Sequence, residues 1–503
     1  MNNHLSRREL VLGGAAAVGL SVLGIGCASG RKGSVLIAEK PSESSHPMNT
    51  PSKPNIILIN CDDLGYGDLG CYGSELNLTP AIDRLAAGGM RLTDFYMASP
   101  VCSPSRGAML TGCYPPRIGF AEFEGRLVLF PGQAVGLNPE ELTLARLLKQ
   151  GGYATKMVGK WHCGDQKEFL PTRHGFDSYY GLPYSNDMGR QAPDDPYPPL
   201  PLLRDESVIQ EQPEQGGLTE RYVEESVRFI REHADRPFFL YLAHLYVHLP
   251  LYVPDRFLRE SKNGRYGAAV ACVDWALDAL MAELRALGLD QNTLVIFTSD
   301  NGSRCRGEGG SNGPLRGTKG TSWEGGQRVP CILHWPARIP AGTVCKGLSA
   351  SLDFLPTFAA VAGVSLPSDR QIDGHDLSRM LLSGQASDTP RQTFFYYKGT
   401  SLNAVRKGAW KLHLLKDGKP VQDLYNLEDD IAESRRISDD HPAIVADLLQ
   451  EAAACRLDLG DSATGVTGQN LRQPGRVENP VTLTRFQQGH PYIVAEYDLK
   501  ERG

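Results

Sequence analysis

PNIILINCDD, residues 54–63, runs from an unbroken apolar segment straight into two aspartates. Continuous rather than alternating apolarity suits a strand covered on both faces, as in a parallel sheet. Three further stretches repeat the pattern. YATKMVGKWH (153–162) stops at Lys160 and His162, PFFLYLAHLYVH (237–248) runs into His244 and His248, and LVIFTSDNG (294–302) stops at Asp300 and Asn301. Helical segments lie between them: TPAIDRLAAGG (79–89), NPEELTLARLLKQGG (138–152), TERYVEESVRFIREH (219–233) and GAAVACVDWALDALMAELRALG (267–288). Thr79 and Asn138 stand at N-cap positions, each followed by a proline suited to a first turn. Strands alternating with helices predict a doubly wound α/β domain with a mostly parallel sheet between helices. Such sheets bind ligands at the carboxyl ends of their strands, where these polar clusters fall. His248 is expected at the rim, held there because Leu249-Pro250 ends the strand.

The pattern changes after about residue 365. TFFYYKGTSLNAVRKGAWKLHLL (393–415) alternates like an antiparallel hairpin. A large domain over 54–365 and a small C-terminal α+β domain and tail over 366–503 are therefore expected. The last forty residues, rich in Pro, Gln and Arg, point to no particular element.

Composition sets the class. The chain has 503 residues, 41% hydrophobic and 22% charged, enough to build a sizeable core. A net charge of −6 with no Lys/Arg-rich block gives no sign of a nucleic-acid partner. Residues 1–30 resemble a twin-arginine export signal: Arg7-Arg8 precede an apolar run too short and too rich in small residues to span a membrane comfortably. Cys27 is a candidate lipid anchor, and residues 31–53 read as a flexible tether. The expected location is the periplasm, free or as a membrane-anchored lipoprotein. The 11 cysteines include no CxxC pair, so the spacing specifies neither a zinc site nor a disulfide framework.

Asp62, Asp63, Asp300 and Asn301 offer only oxygen ligands, which suit Ca²⁺ or Mg²⁺. One such pair alone is a turn or cap; two pairs at the ends of two buried strands point to a metal. With a divalent ion, the three carboxylates and Arg106, Lys160 and Lys319, the formal sum is +2, which fits an anionic substrate group. His244 and His248 lack an HExxH context, so a zinc protease is excluded. Cys102 opens CSPSRGAMLTG (102–112) at the start of a helix, with Arg106 one turn on. A helix N-terminus and a fixed cation both favour an anion there.

CSPSR resembles the C-x-P-x-R signature of the type I sulfatases, whose cysteine is oxidised to formylglycine. DDLGYGDLGCYG (62–73) before it and VGKWH (158–162), SDNG (299–302) and GTKGTSWEGG (317–326) after it complete the set in family order, and the likeness covers roughly residues 53–430. GLPYSNDMG (181–189) and GGSNGPLRGTKGTSWEGG (309–326) look closest to the arylsulfatase A and N-acetylgalactosamine-6-sulfatase branches. The resemblance implies an alkaline-phosphatase-like fold. It makes Asp62, Asp63, Asp300 and Asn301, with the group at Cys102, the calcium or magnesium site, and Arg106 the residue that steadies Cys102. Lys160, His162, Ser185, His248 and Lys319 match groups around the sulfate and leaving oxygen. It also implies the chemistry: a hydrated aldehyde has one hydroxyl to attack sulfur and a second to expel sulfate, whereas a thiolate would be left with a thiosulfate-like adduct. His248 with Lys319 is then the acid for the leaving alcohol and His162 the base for collapse of the sulfated diol.

The implied substrate is a sulfated carbohydrate, with galactose or N-acetylgalactosamine sulfates favoured. The implied partner is a formylglycine-generating or anaerobic sulfatase-maturating enzyme. Cys113 departs from the family's L-T-G-R, with Arg117 nearby as a substitute cation. A phosphodiesterase or phosphonate hydrolase of the same superfamily is the nearest alternative reading. A surface protein that binds sulfated glycans with Cys102 unmodified is the alternative from another class.

Overall fold

A computed structural model of the chain describes residues 53–493. The export signal, Cys27 and all of the tether before Lys53 lie outside the described residues. Among the described residues, ten strands form one sheet: β1 (Asn55–Cys61), β2 (Met90–Leu92), β3 (Ala154–Gly159), β4 (Ser178–Gly181), β5 (Pro201–Arg204), β6 (Ser207–Glu211), β7 (Phe238–Ala243), β8 (Thr293–Ser299), β9 (Cys331–His334) and β10 (Thr343–Cys345). Their spatial order is β10-β2-β9-β8-β1-β7-β3-β4-β5-β6. The five central strands, β8-β1-β7-β3-β4, are mutually parallel, and antiparallel strands flank them.

The apolar runs are continuous because both faces of the sheet are covered. Along β1, Ile56 and Leu58 enter one core with Met109 and Leu110 of α2 (Cys102–Thr111), Leu147 and Leu148 of α3 (Leu144–Gln150) and Phe354 and Phe358 of α6 (Phe354–Ala362). Ile57 and Ile59 enter the other, with Ile82 and Leu85 of α1 (Pro80–Ala87), Tyr222 and Phe229 of α4 (Leu218–Glu232) and Val270 and Leu277 of α5 (Gly264–Ala286). A period-2 strand with both sets buried is what the sequence pattern required.

One local expectation holds in position only, and two need correction. Thr79 stands at the N-cap of α1, but its hydroxyl accepts from no N–H of that helix and donates to the Asp83 carboxylate at 3.1 Å; Asp274 of α5 instead accepts from the Ala81 and Ile82 N–H groups at 2.9 and 2.8 Å. The helix expected from Asn138 begins only at Leu144, where Thr143 accepts from the Arg146 N–H at 3.2 Å. Asn138 accepts from the Glu140 N–H at 3.0 Å, so its side chain stabilises a turn that competes with a helix. The strand expected to reach His248 ends at Ala243. Beyond it the Asp62 N–H bonds the Tyr246 carbonyl (2.8 Å) and the Val247 N–H bonds the Asp62 carbonyl (2.6 Å), which turns the chain inward. His248 is therefore only 2% exposed rather than at the rim.

The C-terminal region carries an antiparallel meander of β11 (Thr393–Lys398), β12 (Ser401–Lys407), β13 (Trp410–Lys416) and β14 (Lys419–Asn426). The apolar side of α7 (Pro442–Leu459) packs on it through Leu448, Ala452 and Cys455. The tail returns to the region of the ten-stranded sheet. Gly475–Arg476 pairs antiparallel with Val135–Gly136, Arg472 ion-pairs Glu141 at 2.7 Å, and Gln166 bonds the Val481 backbone at both its oxygen and its nitrogen. All ten described cysteines are free thiols, and no helix among the described residues is long and apolar enough to cross a membrane.

Candidate active site

Each polar cluster lies just past the end of a central strand. Asp62 and Asp63 follow β1, Lys160 and His162 follow β3, and Asp300 and Asn301 follow β8. Gly159 makes the turn after β3 feasible: its φ is +105°, and a Cβ there would lie 1.8 Å from the Ala243 carbonyl oxygen. Asp63 (φ 62°) and His162 (φ 59°) also occupy the left-handed region without being glycine. Such residues cost about 1–3 kcal/mol each and cluster where function over-determines the backbone.

Cys102 is the first residue of α2 and is 2% exposed; Arg106, one turn later on the same face, is fully buried. Arg106 donates to Asp300 Oδ2 from Nε at 2.8 Å and to the Lys160 carbonyl at 2.8 Å, and its Nη2 lies 3.5 Å from Asp62. Ser105 Oγ donates to the Asp300 carbonyl at 2.5 Å. Lys160 Nζ pairs with Asp62, and Lys319 Nζ sits 2.8 and 2.9 Å from the two Asp63 carboxylate oxygens. His248 Nε2 stands 3.8 Å from Asp63 Oδ2, while its Nδ1 meets the Leu249 carbonyl (2.5 Å) with Ser185 Oγ at 3.5 Å. Ligand atoms of Asp62, Asp63, Cys102 and His248 all lie within 4.8 Å of one another.

Asp300 stands beside that cluster rather than in it. Its oxygens accept from Arg106 and from the Asp63 N–H at 3.2 Å. His162 is one step away as well: Nε2 faces the Leu129 carbonyl at 3.0 Å, and the Leu129 N–H donates to Ser103 Oγ of α2 at 3.1 Å. His244, expected beside His248, is buried with neither ring nitrogen hydrogen-bonded.

A hard cation fits the residues present. Asn301 donates from Nδ2 to Asp63 Oδ1 at 2.7 Å, which leaves its Oδ1 buried without a donor, and Asp62 Oδ1 is likewise unpartnered. Buried orphan acceptors carry a desolvation cost that a bound cation removes. Burial works against the Asp62 charge, yet Lys160, His248, Arg106 and Lys319 outweigh it and hold the carboxyl well below its usual range. Burial, then the Asp62 carboxylate, pushes Asp300 up to about 7. Burial also opposes the Lys319 charge, but the Asp63 and Asp62 carboxylates keep the ammonium protonated. Burial and then Lys319 lower the proton affinity of His248, against the pull of Asp63 and Asp62. We predict that calcium or magnesium raises the thermal midpoint, by an amount worth about 2.7 kcal/mol at a hundredfold excess over Kd. Asn301→Ala should blunt that rise in a thermal-shift titration; a midpoint indifferent to both ions would count against the metal.

Two features were not legible in the sequence. The guanidinium within reach of Cys113 Sγ is that of Arg472, at 3.2 Å, while Arg117 turns to Asp373 and Asp458 at 2.7 and 2.5 Å. Glu324 is the centre of a buried charge cluster. It accepts from Lys411 (2.9 Å), Tyr396 (2.8 Å), Tyr96 (2.5 Å) and Arg328 (3.2 Å), and its N–H donates to Glu433 at 2.8 Å. This cluster ties the loop that carries Lys319 to the C-terminal sheet.

The chain resembles known proteins over most of its length. The sulfatase family model matches residues 54–364, and the model for the C-terminal part of N-sulphoglucosamine sulphohydrolase matches 318–456. N-acetylgalactosamine-6-sulfatase of Canis lupus familiaris is 42% identical over 382 residues, 72% of each chain. Arylsulfatase A of Homo sapiens is 42% identical over 395 residues, covering 74% of this chain and 76% of its own. Among solved structures, Ps i-CgsB in complex with k-i-k-neocarrahexaose aligns with a TM-score of 0.73 at 30% identity, over 84% of this chain and 95% of that one.

Proposed function

The chain belongs to the sulfatase family and is a sulfuric ester hydrolase, and from that premise we propose that it removes sulfate from carbohydrates, galactose or N-acetylgalactosamine sulfates first among them. The observation that carries the reading is the buried convergence of Asp62, Asp63, Cys102 and His248 between the side chains of Lys160, Lys319 and Arg106. Two of the relatives are named for aryl or aminosugar sulfates, and a solved neighbour is in complex with k-i-k-neocarrahexaose.

In this reading Asp62, Asp63, Asp300 and Asn301 hold a divalent cation, calcium or magnesium, beside position 102. A formylglycine hydrate made from Cys102, together with that ion, supplies a two-hydroxyl nucleophile and charge neutralisation for sulfate transfer. Arg106 fixes the start of α2 against Asp300, so position 102 is held in register with the metal carboxylates. Lys160 and Lys319 place fixed positive charge on the sulfate oxygens, in a buried site where it is weakly screened. Ser185 orients the His248 ring, and the Leu249 carbonyl fixes the Nδ1 proton, leaving Nε2 turned to the site. An anionic ester bound against His248 favours its protonated form, which makes His248, with Lys319, the proton donor to the leaving oxygen. His162, whose affinity for a proton burial and then Lys160 lower, is the proposed base for collapse of the sulfated diol.

The proposal includes a formylglycine-generating or anaerobic sulfatase-maturating enzyme acting on Cys102, and export to the periplasm with Cys27 as an anchor. The catalytic domain is taken as 54–365 and the small domain and tail as 366–503. The test is sulfate release from a panel of defined sulfated sugars by protein from a host that matures sulfatases. Cleavage restricted to glucosamine or uronate sulfates would overturn the galactose preference. Phosphate or phosphonate esters turned over faster than any sulfate would overturn the reaction class.

A further inference from the structure

A cleft of about 540 Å³ lies between the 316–323 loop, the Glu122–Leu127 loop and the rim of the C-terminal sheet. Both loops run on from the cleft wall to the site. Lys319 is two residues from Thr321 of the cleft wall, a reach of about 7 Å at most. The Gly320 N–H bonds the Pro100 carbonyl at 2.9 Å, just before Cys102, and Leu127 precedes Leu129, whose backbone bridges Ser103 and His162.

The cleft wall carries three cations. Arg316 lies 3.8 Å from the centre of the Trp323 ring and donates to the Glu433 carbonyl at 2.9 Å, so its orientation is fixed while other guanidinium donors remain. Lys416 lies 4.8 Å from the same ring and pairs with Asp423. Lys398 has no ion-pair partner among the described residues. Ser322, in the same wall, is 6% exposed, and its hydroxyl is buried without a hydrogen-bond partner. The acidic lining residues, Glu122 and Asp417, are exposed. An unpaired ammonium and an unsatisfied hydroxyl in a polar wall beside a sulfate site call for an anionic ligand.

We infer that this cleft is a subsite for a second anionic group of the glycan, a sulfate or carboxylate on the sugar next to the one that loses its ester. The inference rests on the carbohydrate sulfatase reading above. It makes charged oligosaccharides better ligands than singly sulfated monosaccharides or oligosaccharides with a neutral neighbour.

The test measures binding by calorimetry in Cys102→Ala protein, which holds ligands without turnover. The probes are a monosulfated monosaccharide and three oligosaccharides sharing that sugar, with a sulfated, a uronate or a neutral neighbour. Lys398→Gln should weaken binding of a charged-neighbour oligosaccharide about five- to tenfold and leave the monosaccharide and neutral-neighbour ligands unchanged. Ser322→Ala, which removes a buried unsatisfied group and so should not harm the fold, should weaken the same ligand about threefold. Loss confined to the sulfated neighbour identifies the group as sulfate; loss confined to the uronate identifies a carboxylate. No preference for a charged neighbour, or equal loss on every ligand, overturns the subsite. Sulfate release by the wild-type protein is measured separately. Release without the Lys398-dependent preference sinks the subsite alone, and the preference without any release sinks the hydrolase alone.

Discussion

Cys102→Ala protein is expected to fold and release sulfate at least on the order of 10⁴-fold more slowly than the matured wild type, the scale of losing a covalent nucleophile. Wild-type protein made in a host without a maturating enzyme should be equally inactive. Burial pushes the Cys102 thiol up to about 12, although Lys160 and Lys319 pull the other way. At neutral pH an unmodified residue 102 is therefore a thiol and not a thiolate, despite its helix start and neighbouring cations. Activity should scale with the fraction of the Cys102 peptide that has lost about 18 Da, the change from thiol to aldehyde. Full activity in protein whose Cys102 peptide is wholly unmodified would falsify the assignment. The mutation itself should be mild for stability, since it removes one buried sulfur and alanine suits a helix's first turn.

Glu324→Gln carries the largest expected loss of stability, about 3–5 kcal/mol, because Lys411, Arg328 and Arg406 would remain buried with less compensating charge. Burial opposes the Glu324 charge, but Lys411, Arg328 and Arg406 outweigh it and hold the carboxyl below its ordinary 4.5. The sign follows from linkage. A carboxyl with a depressed folded-state pKa contributes fully above its unfolded value and loses that contribution as pH falls below it. Wild-type protein should thus weaken below about pH 4.5, whereas in Glu324→Gln that part of the acid dependence is missing. Denaturant midpoints between pH 3 and pH 7 measure both effects. A change under about 1 kcal/mol at pH 7 would show that the cluster is dispensable. Adding Lys411→Met should restore part of the loss, since the pair is coupled.

What the sequence discloses here follows from what local pattern can encode. The four strands were legible because burial on both faces demands an apolar run, and because each run stops where a charged or amide group must turn into the site. Asp62, Lys160 and Asp300 could be placed on that basis alone. Apolarity reports burial and not conformation, however. The run through Leu245, Tyr246 and Val247 continues past the end of β7 because those residues pack in the core as loop, and His248 is buried with them. The Glu324 cluster and the Arg472–Cys113 contact stayed hidden for a different reason. Their partners are far apart in sequence, 87 positions for Glu324 and Lys411 and 359 for Cys113 and Arg472, and no spacing rule links them.

The returning tail bears on when during synthesis this protein becomes a protein at all. Arg117 waits for Asn470, Glu141 for Arg472 and Gln166 for Val481, separations of 353, 331 and 315 residues. A nascent chain halted before residue 470 would have translated every motif of the active site, yet would expose Glu141 unpaired and leave Val135–Gly136 as a bare strand edge. Closure over such distances is slow and leaves incomplete chains prone to aggregate. The residues that do the chemistry are thus all translated before the segment that locks their surroundings, which reaches back across more than three hundred positions to Arg117, Glu141 and Gln166.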